Sequence, residues 1–311
     1  MNFTLKQLRY VEAAGRLGSI AEAARELSIS QSSITAAIDA LEFGLEYNLF
    51  QRTPAKGSQP TPAGTKALDI IRKFLHESNQ FEAELQSIGG NTSGIVRIAC
   101  YATAAPAFLP PILRDLTENF PGMSIQVLEG NMAAVMGFLD DGRADLAFTY
   151  DVVTQSTHAF EPLFEAPPYA LISRGDPLSN AASVTFADLA EKPMVLLDLP
   201  HTRSYFETLF AQAGCRPTIA HTTRSAEIAR ALVGGGFGYT ILNIRPPAAA
   251  EANAQFRCVP IGGDVARPVF GIATAAVARL PTVVSAFIER CKIIRKNGGF
   301  NDLTVWPPQA H

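Results

Sequence analysis

From residue 5 the apolar positions recur at helical spacing. Leu5, Leu8, Val11 and Ala14 form one stripe, ending near Gly18. Ile20, Ala23, Ala24 and Leu27 form a second, with Ser19 as N-cap and Glu22 placed to complete a capping box. Ser28-Ile29 reads as a turn and Ser30 as the next cap. Ile34, Ala37, Ile38 and Leu41 then give a third helix its inward face. Leu49-Phe50-Gln51-Arg52 and the Pro/Gly turn after it read as two short extended pieces, a wing. Thr61-Pro62 starts a long helix, Thr as cap and Pro at the first helical position, running to about Ile88. Its stripe is Leu68, Ile71, Leu75, Ser78 and Leu85. Phe74, Phe81 and Ile88 fall seven apart beside it, a near-heptad pattern that predicts a partner helix.

The run Gly89-Gly90-Asn91-Thr92-Ser93-Gly94 breaks this pattern and marks a domain boundary. Beyond it, apolar strands alternate with helices. Strands are expected at 95–99, 124–128, 145–149, 169–173, 194–197, 218–221, 238–241, 256–260 and 269–273. Helices are expected at 104–119, 132–140, 204–213, 225–233 and about 281–294. Alternating β and α implies parallel sheets covered by helices, here as two α/β subdomains with crossovers near 160–168 and 261–268. The glycine-rich stretch Gly234 to Gly238 follows a helix and precedes a strand, the reverse of a dinucleotide loop, so it reads as helix termination and close packing. Residues 297–311 show no clear element and read as a mobile tail.

The second and third helices have the form either of an ordinary helical hairpin with a Ser-rich cap or of a helix-turn-helix, in which the start of the second helix touches base edges. The second reading places Gln31, Ser32, Ser33, Thr35 and Ala36 at a nucleic-acid surface. Gln can pair with adenine, Ser and Thr with several bases, and Ala with the thymine methyl. Arg52 and Lys56 are the cations of the wing, suited to phosphate or minor-groove contact.

This region resembles the DNA-binding domain of LysR-type transcriptional regulators. The resemblance is carried by GSIAEAARELSISQSSIT (Gly18 to Thr35), Leu41-Glu42, Leu49-Phe50, Arg52 and Thr61-Pro62-Ala63-Gly64. Glu46 stands where that family usually has Gly, and the recognition helix carries no Lys or Arg. Farther on, Leu109-Pro110, Phe120-Pro121-Gly122, Asp141 to Ala147 and Gly234 to Tyr239 resemble the family's effector domain, which is built like a type 2 periplasmic binding protein. The resemblance implies an α/β chain with an N-terminal all-α-rich winged helix-turn-helix (about 1–60), a linker helix (about 61–90) and a two-subdomain effector-binding domain (about 91–296). Subdomain I would hold about 91–163 and 267–296, and subdomain II about 164–266. It also implies a homodimer through the linker helix, with a tetramer left open, acting on double-stranded promoter DNA.

In open α/β sheets ligands bind beyond the carboxyl ends of strands, and helix N-termini there suit an anion. That rule selects Tyr101, Ala102, Thr103, Thr149, Thr202, Arg203 and Thr223 as effector contacts. The expected ligand is a small, anionic metabolite such as an organic acid, and its binding would rearrange the DNA readers. Thr103, Thr202, Thr223 and Ser225 are also plain helix-cap candidates.

Composition changes this picture little. Length suggests about two domains, and 47% hydrophobic with 18% charged residues describes a globular chain. Net charge is −3, and the six cations of residues 1–60 are balanced by six carboxylates, so charge alone does not reveal a nucleic-acid binder. No signal peptide or membrane-length apolar run is visible, which points to the cytoplasm. Cys100, Cys215, Cys258 and Cys291 are scattered without CxxC or zinc spacing and read as structural free thiols. No metal, cofactor or catalytic constellation is expected. The alternatives are a solute-binding protein or an α/β enzyme using the C-terminal cleft.

Overall fold

The structure is a computed structural model that describes residues 3–53, 57–87, 94–246, 254–276 and 280–308. It divides into two compact units, residues 1–85 with 141–143, and residues 86–140 with 144–311.

The first unit holds α1 (Leu5–Leu17), α2 (Ile20–Glu26), α3 (Gln31–Leu45), the antiparallel pair β1 (Phe50–Thr53) and β2 (Gly57–Pro60), and most of α4 (Pro62–Ser87). Each helix starts on a hydroxyl cap. Thr4 forms a full capping box with Gln7, and Ser19 and Ser30 each accept the N–H of the residue three positions on. Ser19 acts alone, without the return bond expected from Glu22. Val11, Ala14, Ala23, Ile34, Ile38 and Leu41 are buried as their spacing requires, whereas Leu5 at the start of α1 is exposed. Glu46 sits in the left-handed region at φ 61°, so the turn after α3 keeps the glycine-like backbone at a cost of about 1–2 kcal/mol. Glu42 Oε1 accepts the N–H groups of Leu49 (2.7 Å) and Phe50 (3.0 Å), which fixes where the wing leaves the helix.

The stripe of α4 divides. Leu68, Ile71 and Leu75 are buried in the same core as α1 and α3, while Ile70, Phe74, Phe81 and Leu85 are 69%, 50%, 64% and 52% exposed. Ile88, which the heptad pattern included, lies outside the described residues, as do the glycines of the expected boundary at 89 and 90.

The second unit is built from two sheets. A five-stranded sheet has the order β4-β3-β5-β12-β6: Met123–Gly130, Gly94–Tyr101, Leu146–Tyr150, Val269–Ala275 and His158–Glu165. It is flanked by α5 (Ala105–Asn119), α6 (Met132–Asp140) and α10 (Thr282–Lys296). The other sheet is β10-β7-β11: Thr240–Leu242, Tyr169–Ser173 and Phe256–Pro260. It continues through a single bridge, Met194 to Tyr239, into the parallel pair β8 (Pro193–Leu197) and β9 (Thr218–Thr223). Helices α7 (Phe186–Ala190), α8 (Thr202–Gln212) and α9 (Ala226–Gly234) cover it.

Three expectations need correction. The sheets are mixed, not parallel: β12 runs antiparallel to β5 and β6, and β7 antiparallel to β10 and β11. Strands that arrive from the other subdomain are freed from the βαβ handedness rule that makes neighbours parallel. Second, residues 158–165 form edge strand β6 and are not a crossover. Pro162 masked it, and an edge is where a strand tolerates proline. The chain crosses at Ala166 to Pro168 and returns at 261–268. Third, the described part of the tail is packed. Phe300 and Leu303 are buried in the first subdomain's core, Phe300 lies 5.4 Å from the Phe164 ring, and the Arg245 N–H bonds Leu303 O at 2.8 Å.

Candidate functional site

Two surfaces carry the chemistry. In the first unit, the Ser30 cap leaves the outer face of α3 free of packing. Gln31, Ser32, Ser33 and Ala36 are exposed and Thr35 half-buried, with Ile34, Ala37 and Ile38 behind them in the core. Ser30 Oγ lies 2.8 Å from both Ser32 Oγ and Ser33 Oγ, a small hydroxyl cluster at the helix N-terminus. The first turn holds no acidic residue. An anionic backbone can therefore approach the positive end of α3 without like-charge repulsion. Arg52 lies in β1, and Lys56 lies outside the described residues.

In the second unit a cavity of about 50 Å³ lies between the two subdomains. Of the seven expected contacts, Tyr101, Thr103 and Thr202 line it. Tyr101 ends β3, and its hydroxyl is 3.1 Å from Thr202 Oγ1 at the start of α8. Ala102, Thr149, Arg203 and Thr223 do not line it. Ala102 is exposed and spends its N–H on Gly130 O. Thr149 is fully buried on the other face of β5, because successive strand residues point to opposite faces. Its neighbour Tyr150 faces the cavity instead. Arg203 turns to Asp198 (2.8 Å) and Glu207 (3.3 Å), and the Asp198 carboxylate raises its pKa further. Thr223 Oγ1 accepts the Ser225 N–H in a local turn. Thr103 is not a cap either, since Ala104 holds that position in α5.

The lining residues that pattern reasoning did not select include Met132, Tyr150, His201, Tyr205 and Asn243. Tyr205 lies three residues after Thr202, on the same helix face, and Asn243 follows the carboxyl end of β10, so both signals were present. Asn243 Nδ2 donates to Ala166 O (2.8 Å) and to the Tyr205 hydroxyl (3.2 Å), which in turn donates to Ala266 O (3.4 Å). Ala166 and Ala266 belong to the two crossovers, so one wall of the cavity is tied directly to the hinge. Burial raises the phenols of Tyr101 and Tyr150 above their ordinary range and pushes Tyr205 up to about 12. All three are neutral donors at physiological pH.

Among the described residues no group of His, Cys, Asp and Glu is arranged to hold a metal ion. No described helix is long and apolar enough to cross a membrane.

Known family models match both parts of the chain. Residues 5–65 match the family model for bacterial regulatory helix-turn-helix proteins of the lysR family, and residues 89–293 match that of the LysR substrate binding domain. The HTH-type transcriptional regulator CysB of Haemophilus influenzae is 28% identical over 245 residues, covering 76% of this chain and 75% of that protein. The crystal structure of HinK, a LysR family transcriptional regulator from Pseudomonas aeruginosa, is 31% identical with a TM-score of 0.60, covering 94% of this chain and 98% of that one. Full-length CbnR, solved with its target DNA, shares the fold at 21% identity and a TM-score of 0.67, covering 94% of this chain and 99% of that one. The chain belongs to the LysR family of transcriptional regulators, with a helix-turn-helix DNA-binding domain and an effector domain.

Proposed function

We propose that Gln31, Ser32, Ser33, Thr35 and Ala36 read base edges in a promoter while Arg52 and Lys56 hold the adjacent backbone, and that a second copy of the chain pairs through α4. The observation that carries this reading is the division of α4: Leu68, Ile71 and Leu75 complete the reader's own core, and Ile70, Phe74, Phe81 and Leu85 are left as an exposed apolar row. A row of that kind at near-heptad spacing fits a two-fold helix partner. Two readers would then address a partly symmetric site.

The cavity is the effector site in this reading. A ligand in contact with Tyr205 or Asn243 acts on side chains bonded to both crossovers. It shifts the inter-subdomain equilibrium by no more than its differential affinity for the two arrangements. The chain acts in the cytoplasm as a binding protein without a catalytic step; its relatives are transcriptional regulators.

The test is DNase footprinting of the chain on its own promoter region. Gln31→Ala should weaken the footprint by about 1–3 kcal/mol and relax specificity at one base position. Unchanged protection in Gln31→Ala and Ser32→Ala would refute the assignment. Sedimentation of Phe74→Asp and Phe81→Asp should show monomers, and a dimer that survives both would remove α4 from the interface.

A further inference from the structure

The cavity between the subdomains is poor in the features an anion needs. Among the described residues that line it there is no Lys, Arg, Asp or Glu. Arg203, the nearest cation in sequence, is committed to Asp198 and Glu207. The helix N-termini are partly spent as well. At α5 the Ala104 N–H bonds Tyr101 O, the Ala107 N–H bonds Ala104 O, and Pro106 has no N–H to offer. At α8 the Thr202 and Arg203 N–H groups both bond Leu199 O, and the Tyr205 N–H bonds His201 O. A carboxylate placed here would be desolvated with no permanent positive charge beside it, His201 being the one basic side chain among the described lining residues.

The cavity does offer phenol hydroxyls in an apolar surround of Met132, Leu242 and Ile244. Tyr150 is buried, lines the cavity, and makes no hydrogen bond through its hydroxyl among the described residues. Its phenol is held neutral by burial, and its hydroxyl, open to the cavity and bonded to no described residue, can donate to a ligand. The Tyr101–Thr202 hydroxyl pair beside it can also turn one hydrogen outward. At about 50 Å³ the cavity is a fraction of the roughly 150 Å³ that accommodates benzene. It therefore takes a few heavy atoms as it stands, and a ring only when the subdomains part.

We propose that the effector is a small uncharged molecule carrying a carbonyl or hydroxyl oxygen, which accepts a hydrogen bond from Tyr150 in an otherwise apolar pocket, and that its carboxylate analogues are rejected. This replaces the anionic metabolite expected from the strand-end rule, and it rests on the cavity being the effector site. Discrimination then comes from burying an acceptor that satisfies Tyr150, not from charge pairing.

The test is thermal unfolding of the full chain at about pH 8, where imidazole is neutral, with three matched probe pairs: acetamide and acetate, isobutyramide and isobutyrate, benzamide and benzoate. At least one amide should raise the melting temperature saturably, with an apparent Kd about tenfold or more below that of its carboxylate partner. Tyr150→Phe should weaken the amide about tenfold and leave the ligand-free melting temperature within a few degrees. Arg203→Gln should change neither. The proposal is overturned if a carboxylate binds as tightly as its amide, if Arg203→Gln abolishes binding, or if no amide shifts the transition. Failure of the regulator reading looks different: it is loss of the sequence-specific footprint, measured without any probe.

Discussion

Gly64 shows how tightly the DNA reader is closed onto its linker helix. It sits in the first turn of α4, where its N–H bonds Thr61 Oγ1 at 2.8 Å. A Cβ added there would lie 1.9 Å from the Leu49 carbonyl oxygen, and that atom is backbone, so no rotamer relieves the contact. Helix and wing would have to separate by about 1 Å. That movement strains the bonds that anchor them, Thr61 N–H to Leu49 O at 2.9 Å and Thr61 hydroxyl to Asn48 O at 2.8 Å. Two such bonds contribute about 0.5–1.5 kcal/mol each. The retreat also loosens Leu49 and Leu68, which are buried in one shared cluster, adding about 1–3 kcal/mol of packing loss. The helix propensity gained by alanine returns less than about 1 kcal/mol. Taking the middle of each range, Gly64→Ala should destabilise the first unit by about 3 kcal/mol. For a unit of this size that is a fall of roughly 10–20 °C in its own transition. Scanning calorimetry of the full chain resolves it as a downward shift of one transition with the other unmoved. A shift of less than a few degrees would refute the argument, because it would mean that the backbone contact yields at little cost.

The same substitution should have the opposite sign at Gly137, within α6, where an added Cβ meets nothing within 4 Å. Gly137→Ala should stabilise the second unit by about 0.5–1 kcal/mol, read as a rise of a few degrees in its transition; a fall would contradict the open space around it. Leu303→Ala removes a buried anchor of the tail and should cost about 2–4 kcal/mol, whereas a mobile tail would leave the melting curve unchanged. Burial pushes the Cys100 thiol up to about 11 and raises Cys291 as well, while Cys215 and Cys258 are half-buried. At about pH 8 iodoacetamide should therefore label Cys215 and Cys258 first in the native chain, and labelling of Cys100 should quicken only as pH rises toward its shifted value. Equal rates at all four positions would refute this.

The DNA reader was legible in the sequence because its determinants are local. Ser19, Ser30 and Thr61 cap helices within three residues of themselves, and the apolar spacings of α1 to α3 need only helical geometry to define a buried face. Nine strands of the second unit were visible for the same reason, as short apolar runs between breaks. What stayed hidden depended on partners distant in the chain. Pro162 disguised β6, which exists because β12 returns from the other subdomain to pair with it. Phe300 and Leu303 looked like tail residues until the core around Phe164 received them. The heptad row of α4 could not reveal which members turn inward, since α1 and α3 decide that. The strand-end rule selected loops that border the cavity, but facing direction put Tyr150 and not Thr149 on its wall, and the carboxylates of Asp198 and Glu207 drew Arg203 away. Capping and periodicity are fixed over a few residues of chain. Strand direction, burial of a tail and the polarity of a cleft are set by which surfaces meet, and only the tertiary structure decides that.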